Sequence, residues 1–132
     1  HRPRSEGELR DYLRRKNLAD HDITTVINRL RDRGYIDDAD FAKRWVATRR
    51  LLKSTSKRRL MQELRQKRIT DDIIQAVLAD DETDERSVLR ELVQRKRKQT
   101  KYQDNLKLMQ YLSRQGFGYD DIKTVLAEDT DE

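Results

Sequence analysis

The side chains with chemical reach in this chain are cations, and some of them recur. Lys43 and Arg90, Arg49 and Lys96, and Arg50 and Arg97 each stand 47 residues apart, so two repeated helices carry equivalent charges. A basic stripe of this kind suits a phosphate backbone, single- or double-stranded, or an acidic protein groove. The plainer reading, a solvated helix face paired with neighbouring acids, stays open beside it. Groups for covalent chemistry are missing. The histidines are His1, the first residue, and His21, and no nucleophile, histidine and carboxylate grouping can be assembled around them, so the chain is not expected to be an enzyme. It has no glycine-rich phosphate loop, and no cofactor is expected. The pairs Asp37-Asp38, Asp71-Asp72 and Asp120-Asp121 could suggest a divalent metal. Each falls in the first turn of a predicted helix, where anions favour the macrodipole and cap free amides, so no metal is expected either.

The elements that must carry these residues follow from apolar spacing. Ser5 with Glu8 forms a capping box opening a helix on Leu9 and Leu13 that runs to about Lys16. Ile23, Val26, Ile27 and Leu30 mark a second, from about His21 to Arg33, stopped by Gly34. Asp37-Asp38 opens a third, to about Leu52, whose Phe41, Ala42, Trp45 and Val46 share one face as core anchors rather than stacking platforms. The polar turn Lys53-Ser54-Thr55-Ser56 precedes helix four, about Lys57 to Lys67, and Thr70 caps helix five. Helix six spans about Thr83 to Gln99, helix seven about Gln103 to Gln115, and helix eight Tyr119 to about Ala127.

Superposing Leu13, Leu64 and Leu112 brings out an internal repeat with spacings of 51 and 48 residues. Leu9, Leu60 and Leu108 align four earlier, and Leu18, Ile69 and Phe117 five later. Ile23, Ile74 and Ile122, then Val26, Val77 and Val125, then Ile27, Leu78 and Leu126 complete the pattern. Phe41, Ala42, Trp45 and Val46 repeat as Val88, Leu89, Leu92 and Val93. The unit is therefore three helices. Each offers too little apolar surface to stand alone, so the expected fold is all-α, tandem three-helix repeats stacked into an elongated, curved helical array. Boundaries between repeats are expected near residues 34–37 and 80–83.

Composition sets the remaining bounds. Only 34% of the residues are apolar and 42% are charged, lean for one compact core. The absence of Cys excludes a disulfide scaffold and a thiolate zinc site and suits a reducing cytoplasm. No apolar run is long enough to span a bilayer. The net charge of +5 permits an anionic partner without demanding one, because twenty-five acids offset thirty bases.

In the order and spacing of its motifs the chain resembles the RecX family, bacterial regulators of the RecA recombinase. The resemblance lies in Arg2-Pro3-Arg4-Ser5 with Glu8-Leu9 and Tyr12-Leu13, then Gly34-Tyr35-Ile36-Asp37-Asp38 with Phe41-Ala42. Glu63-Leu64 with Lys67-Arg68-Ile69, and Tyr111-Leu112 with Gln115-Gly116-Phe117 and Tyr119-Asp120-Asp121-Ile122, are similar to the family's later repeats. The resemblance implies a cytoplasmic monomer of tandem three-helix repeats that binds the RecA filament on DNA. It implies roles in DNA repair, homologous recombination and the SOS response, through damping of ATP hydrolysis, strand exchange and coprotease activity. The partner-binding residues expected on this reading are Lys43, Arg49, Arg50, Arg90, Lys96 and Arg97, against RecA or DNA. A helical DNA-binding module acting without RecA is the alternative, and a general helical scaffold a third. Two departures stand out. The helix that family members usually carry ahead of Arg2 is absent, so residues 1–132 are expected to be the carboxyl-terminal portion of a longer regulator. Arg68 stands where the family often has Gly after the helix, which puts the geometry of that turn in doubt.

Overall fold

The computed structural model describes residues 4–52 and 54–130; His1, Arg2, Pro3 and Lys53, used above, lie outside the described residues. Among the described residues there are eight α-helices and no strand. They are α1 (Glu6–Arg15), α2 (Asp20–Asp32), α3 (Asp38–Leu52), α4 (Lys57–Gln66), α5 (Asp71–Asp80), α6 (Glu85–Lys96), α7 (Asn105–Arg114) and α8 (Tyr119–Thr130). All eight expected helices are present. The boundaries shift most in the last repeat: α6 and α7 start two residues later than expected, α8 runs on to Thr130, and α6 stops at Lys96, short of Gln99, with a 3-10 turn at Thr100–Gln103 following. Tyr102 is buried in that turn, and the Arg97 guanidinium donates to the Tyr102 and Gln103 carbonyls at 3.1 and 3.0 Å, so the chain folds back where the helix would have run on.

The repeat is written into the backbone. Asn17, Arg68 and Gly116 occupy the same register, four residues after Leu13, Leu64 and Leu112, and all three are left-handed, with φ of 66°, 63° and 97°. At each, the amide of the next residue reaches back into the helix: Leu18 N–H to Leu13 O, Ile69 N–H to Leu64 O, Phe117 N–H to Leu112 O. Arg68 thus keeps the turn that glycine would have made easier, at a local cost of about 1–2 kcal/mol. Burial rises along the copies. Leu9, Leu13 and Leu18 are half-buried, whereas Leu60, Leu64 and Ile69, and then Leu108, Leu112 and Phe117, are buried.

The residues fall into two compact units whose limits lie inside α3 and α4. The first runs up to Thr48 and adds Met61–Asp80; the second joins Arg49–Leu60 to the residues from Asp81 onward. In the first, α1 packs on α2 around Ile23, Ile27 and Ile36. In the second, Leu89, Leu92 and Val93 of α6 meet Leu108 and Leu112 of α7 and Ile122, Val125 and Leu126 of α8.

Each unit contains one serine that ties two repeats together. Ser5, fully buried, accepts the Glu8 N–H at 3.2 Å as the N-cap of α1 and donates its hydroxyl to the Lys67 carbonyl beyond α4. Ser56, also fully buried, accepts the Arg59 N–H at 3.1 Å and donates to the Gln115 carbonyl beyond α7 at 2.8 Å. One hydroxyl therefore starts one helix and fastens the end of its counterpart in the next repeat. Glycine makes room at both hooks, on opposite sides. A Cβ at Gly7 would lie 2.4 Å from Arg68 Cβ, and one at Gly116 would lie 2.5 Å from Ser56 Oγ.

This swap yields a test of sign. Gly7→Ala should destabilise the protein by about 1–3 kcal/mol, because a backbone-near methyl must displace another Cβ. In an Arg68→Gly background the same substitution should stabilise by up to about 1 kcal/mol, since alanine is the better helix former. Urea titration of the four proteins measures both signs; a loss of equal size in the two backgrounds would place Arg68 away from Gly7.

Candidate functional site

Three of the six expected partner-binding cations are committed inside the second unit. The Arg50 guanidinium donates to Asp81 Oδ2 at 3.2 and 2.8 Å and also reaches the Thr55 carbonyl; the side chains of the pair are only 12% and 8% exposed. Arg97 holds Asp129 at 3.0 Å besides the carbonyls of the 3-10 turn. Arg90 grips both carboxylate oxygens of Glu128, at 2.8 and 3.3 Å, on an exposed surface. Lys43 belongs to the first unit, where it is exposed on α3 and makes no ion pair among the described residues.

The remaining two, Arg49 and Lys96, come together. They line a cleft of about 520 Å³ with Arg59 and Arg95, where the end of α3, the start of α4, the end of α6 and the face of α7 meet. No carboxylate stands among its described lining residues; Ser54, Thr55, Gln99, Gln115 and Tyr111 supply the polar remainder. Cations accumulate there because the last turns of α3 and α6 carry Arg49-Arg50 and Arg95-Lys96, which their helix dipoles favour. Neutral groups hold two of them in place. Arg95 donates to Ser54 Oγ at 3.0 Å, and the Lys96 ammonium sits 4.8 Å from the centre of the Tyr111 ring. Arg59 donates to Gln115 Oε1 at 2.8 Å, and both Arg49 and Arg59 are engaged further. Arg95 has no charged repeat counterpart, since Thr48 stands in its register, and Arg59 lies on α4, outside the two helices whose paired cations defined the stripe.

The first unit offers a different surface. Tyr35, 76% exposed, Phe41 and Trp45 line an open groove of about 570 Å³ together with Arg4, Arg44, Lys67, Asp37 and Asp40. Phe41 and Trp45 stack with centroids 6.2 Å apart and planes 15° from parallel. Both rings are half-buried, which corrects their expected place in the spine: on that helix only Ala42 and Val46 are buried. The indole N–H donates to Glu63 at 3.0 Å, and Lys67 lies 5.1 Å from the ring centre while pairing with Glu8. Arg44 pairs with Asp40 at 2.8 Å, so charges in the groove are matched locally.

The paired aspartates act as anchors for backbone and cations. Asp37 accepts the Asp40 N–H at 3.0 Å, while Asp38 turns to the Glu6 N–H at 2.8 Å. Burial dominates at Asp38 and raises its pKa, with Arg31 opposing. Asp71 pairs with Arg65 and Asp121 with Arg86. Among the described residues no three His, Cys, Asp or Glu gather as a metal site would require. No helix among them is long and apolar enough to cross a membrane.

Comparison with known proteins gives a consistent pattern. Residues 1–30 match the first three-helix domain of RecX, residues 37–78 the second and residues 84–126 the third. A regulatory protein RecX of Mycobacterium avium is 39% identical over 96% of this chain and 78% of its own length. One of Geobacillus sp. is 31% identical over 100% of this chain, which spans about half, 51%, of that relative. The crystal structure of RecX from Lactobacillus salivarius superposes with a TM-score of 0.82 at 25% identity, covering 97% of this chain and 86% of that one. A second regulatory protein RecX structure gives 0.80 at 21% identity, covering 96% and 65%, a likeness of fold.

Proposed function

This chain belongs to the RecX family, and on that premise we propose that it regulates the RecA recombinase in the cytoplasm, mainly as an inhibitor. It binds the RecA filament on DNA and damps ATP hydrolysis, strand exchange and coprotease activity, without catalysing a reaction of its own. The observation that carries this reading is the run of three RecX domains, in order, along a chain matched over 96% of its length by a regulatory relative. Repetition suits such a task. A helical filament presents the same groove at each protomer, and linked repeats can engage successive copies with an affinity that no single repeat would reach.

The six expected contact cations have different surroundings, which supports different roles for them. We infer partner contacts for Lys43, exposed on α3, and for Lys96 and Arg49, which line the cationic cleft. Arg50 and Arg97 brace the fold, and Arg90 contributes only by exchanging its Glu128 partner for another. Reversing Lys43 and Lys96 to Glu should therefore weaken filament binding about tenfold or more with the melting temperature unchanged.

The deciding measurement is RecA ATP hydrolysis on single-stranded DNA with increasing amounts of this protein. The expected outcome is inhibition that saturates with protein concentration. An unchanged rate at every ratio overturns the reading, and tight DNA binding with a steep salt slope in the absence of RecA would replace it by the DNA-binding alternative.

A further inference from the structure

Beside the cationic cleft lies an apolar ledge that the fold leaves uncovered. Leu51 and Leu52, consecutive at the end of α3, are 86% and 73% exposed, although the chain has little apolar surface to spare. Leu52 lines the cleft itself and, with Ser54 and Arg95, also lines an adjoining hollow of about 440 Å³ that contains Leu51, Val88 and one carboxylate, Glu91, so the uncompensated positive charge lies on the cleft side. Arg50 in that hollow is already bound to Asp81. Positive charge and exposed leucine thus share one continuous surface, within the second unit.

We propose that this surface docks an acidic segment of a protein partner, with one large apolar side chain seated on Leu51 and Leu52 and carboxylates meeting Arg95 and Lys96. Two features favour a peptide over a nucleic acid. A phosphodiester chain has no group to cover paired leucines, and its bases would seek an aromatic face. The ring that the cleft contains, Tyr111, already lies beneath Lys96 and against Tyr102, at a centroid distance of 5.1 Å. The charged groups are also set for carboxylates. Arg95 and Lys96 are held by a hydroxyl and a ring rather than by acids, so their charge stays available while their positions are fixed. Exposed apolar area rimmed by charge is the common form of an interaction site, with the anchor supplying affinity and the rim orientation.

This inference rests on the chain acting through a protein partner, and the test separates the two. The probe is a fluorescein-labelled decapeptide of Asp and Glu around a single central Phe, compared with the same peptide carrying Ala at the centre and with oligo-dT of matched charge, all by anisotropy against the whole chain. The Phe peptide should bind best. Lys96→Glu or Arg95→Glu should weaken it about tenfold, and Leu52→Ser about fivefold, all with unchanged melting temperature. Equal binding of the Phe and Ala peptides, stronger binding of oligo-dT, or no peptide binding at all overturns the proposal. Assaying RecA ATP hydrolysis with the same variants keeps the conclusions apart. A chain that damps RecA yet ignores the peptide retains the function and loses this surface; one that binds the peptide yet leaves RecA untouched does the reverse.

Discussion

Replacing Arg50 by Ala should lower the unfolding free energy by about 3–5 kcal/mol, the range for removing one partner of a buried ion pair. The pair is shielded, at 12% and 8% exposure, and the same guanidinium also satisfies the Thr55 carbonyl. Its loss leaves Asp81 buried with only neutral donors from Thr83, its N–H at 3.2 Å and its side chain, among the described residues. Arg90→Ala is the control, because its pair with Glu128 is 43% and 47% exposed and should be worth less than about 1 kcal/mol. Denaturant titration compares them; similar small losses would put Arg50 in water. Acid adds a second signature. Burial pushes the Asp81 pKa up, but hydrogen bonds from Arg50 and Thr83 outweigh it and hold the carboxyl below its ordinary value of 3.8. A folded pKa below the unfolded one means that this contribution is complete above pH 3.8 and is lost as pH falls through the lower folded value. Asp81→Asn should therefore flatten that acid limb. Glu85 works in the opposite sense: burial raises its pKa despite the Lys57 N–H that it accepts, so it is ionised in the fold at some cost that acidification relieves.

Gly116→Ala should cost about 2–4 kcal/mol. Part is the left-handed backbone, φ 97°, which an L side chain resists by about 1–2 kcal/mol. The rest comes from the new Cβ, 2.5 Å from Ser56 Oγ, which pushes a fully buried hydroxyl off the Gln115 carbonyl and the Arg59 amide. Ser56→Ala alone removes the same hydrogen bonds at about 1–2 kcal/mol. Since both substitutions injure one hook, the double variant should lose clearly less than the sum, whereas strict additivity would separate the two residues.

Periodicity made the fold largely legible. Leu64 and Leu112, with their partners at five and ten residues, are buried where the superposition of copies puts core, because repeats hide equivalent positions, though less completely in the first copy, where Leu13 and Leu18 are half-buried. Side-chain charge was less legible. Nothing near Arg50 in sequence announces that Asp81, 31 residues away, will be its partner, and nothing near Arg97 announces the fold-back that supplies it with carbonyls. Spacing assigns a cation to a helix end and is blind to which distant acid arrives there. The aromatic residues failed for a related reason. Phe41 and Trp45 share a stripe with Ala42 and Val46, but helical spacing fixes only the side of the helix, and two bulky rings at the edge of the stripe lie half in the open groove.

The serine hooks also bear on how such a chain can change over generations. Ser5 and Ser56 give a proton to one carbonyl while taking one from an amide, so any copied repeat that starts with a hydroxyl arrives with its own fastener. The third copy departs from this. Its N-cap in the same register is Asp104, which accepts the Lys107 N–H at 3.1 Å but, ionised, has no proton to give. Duplication onto that side by the same bond would first require Asp104→Ser or Thr, whereas losing Ser5 or Ser56 would strand a carbonyl already in use. Lineages of this protein should therefore find inserting a repeat between existing ones easier than adding one beyond the aspartate.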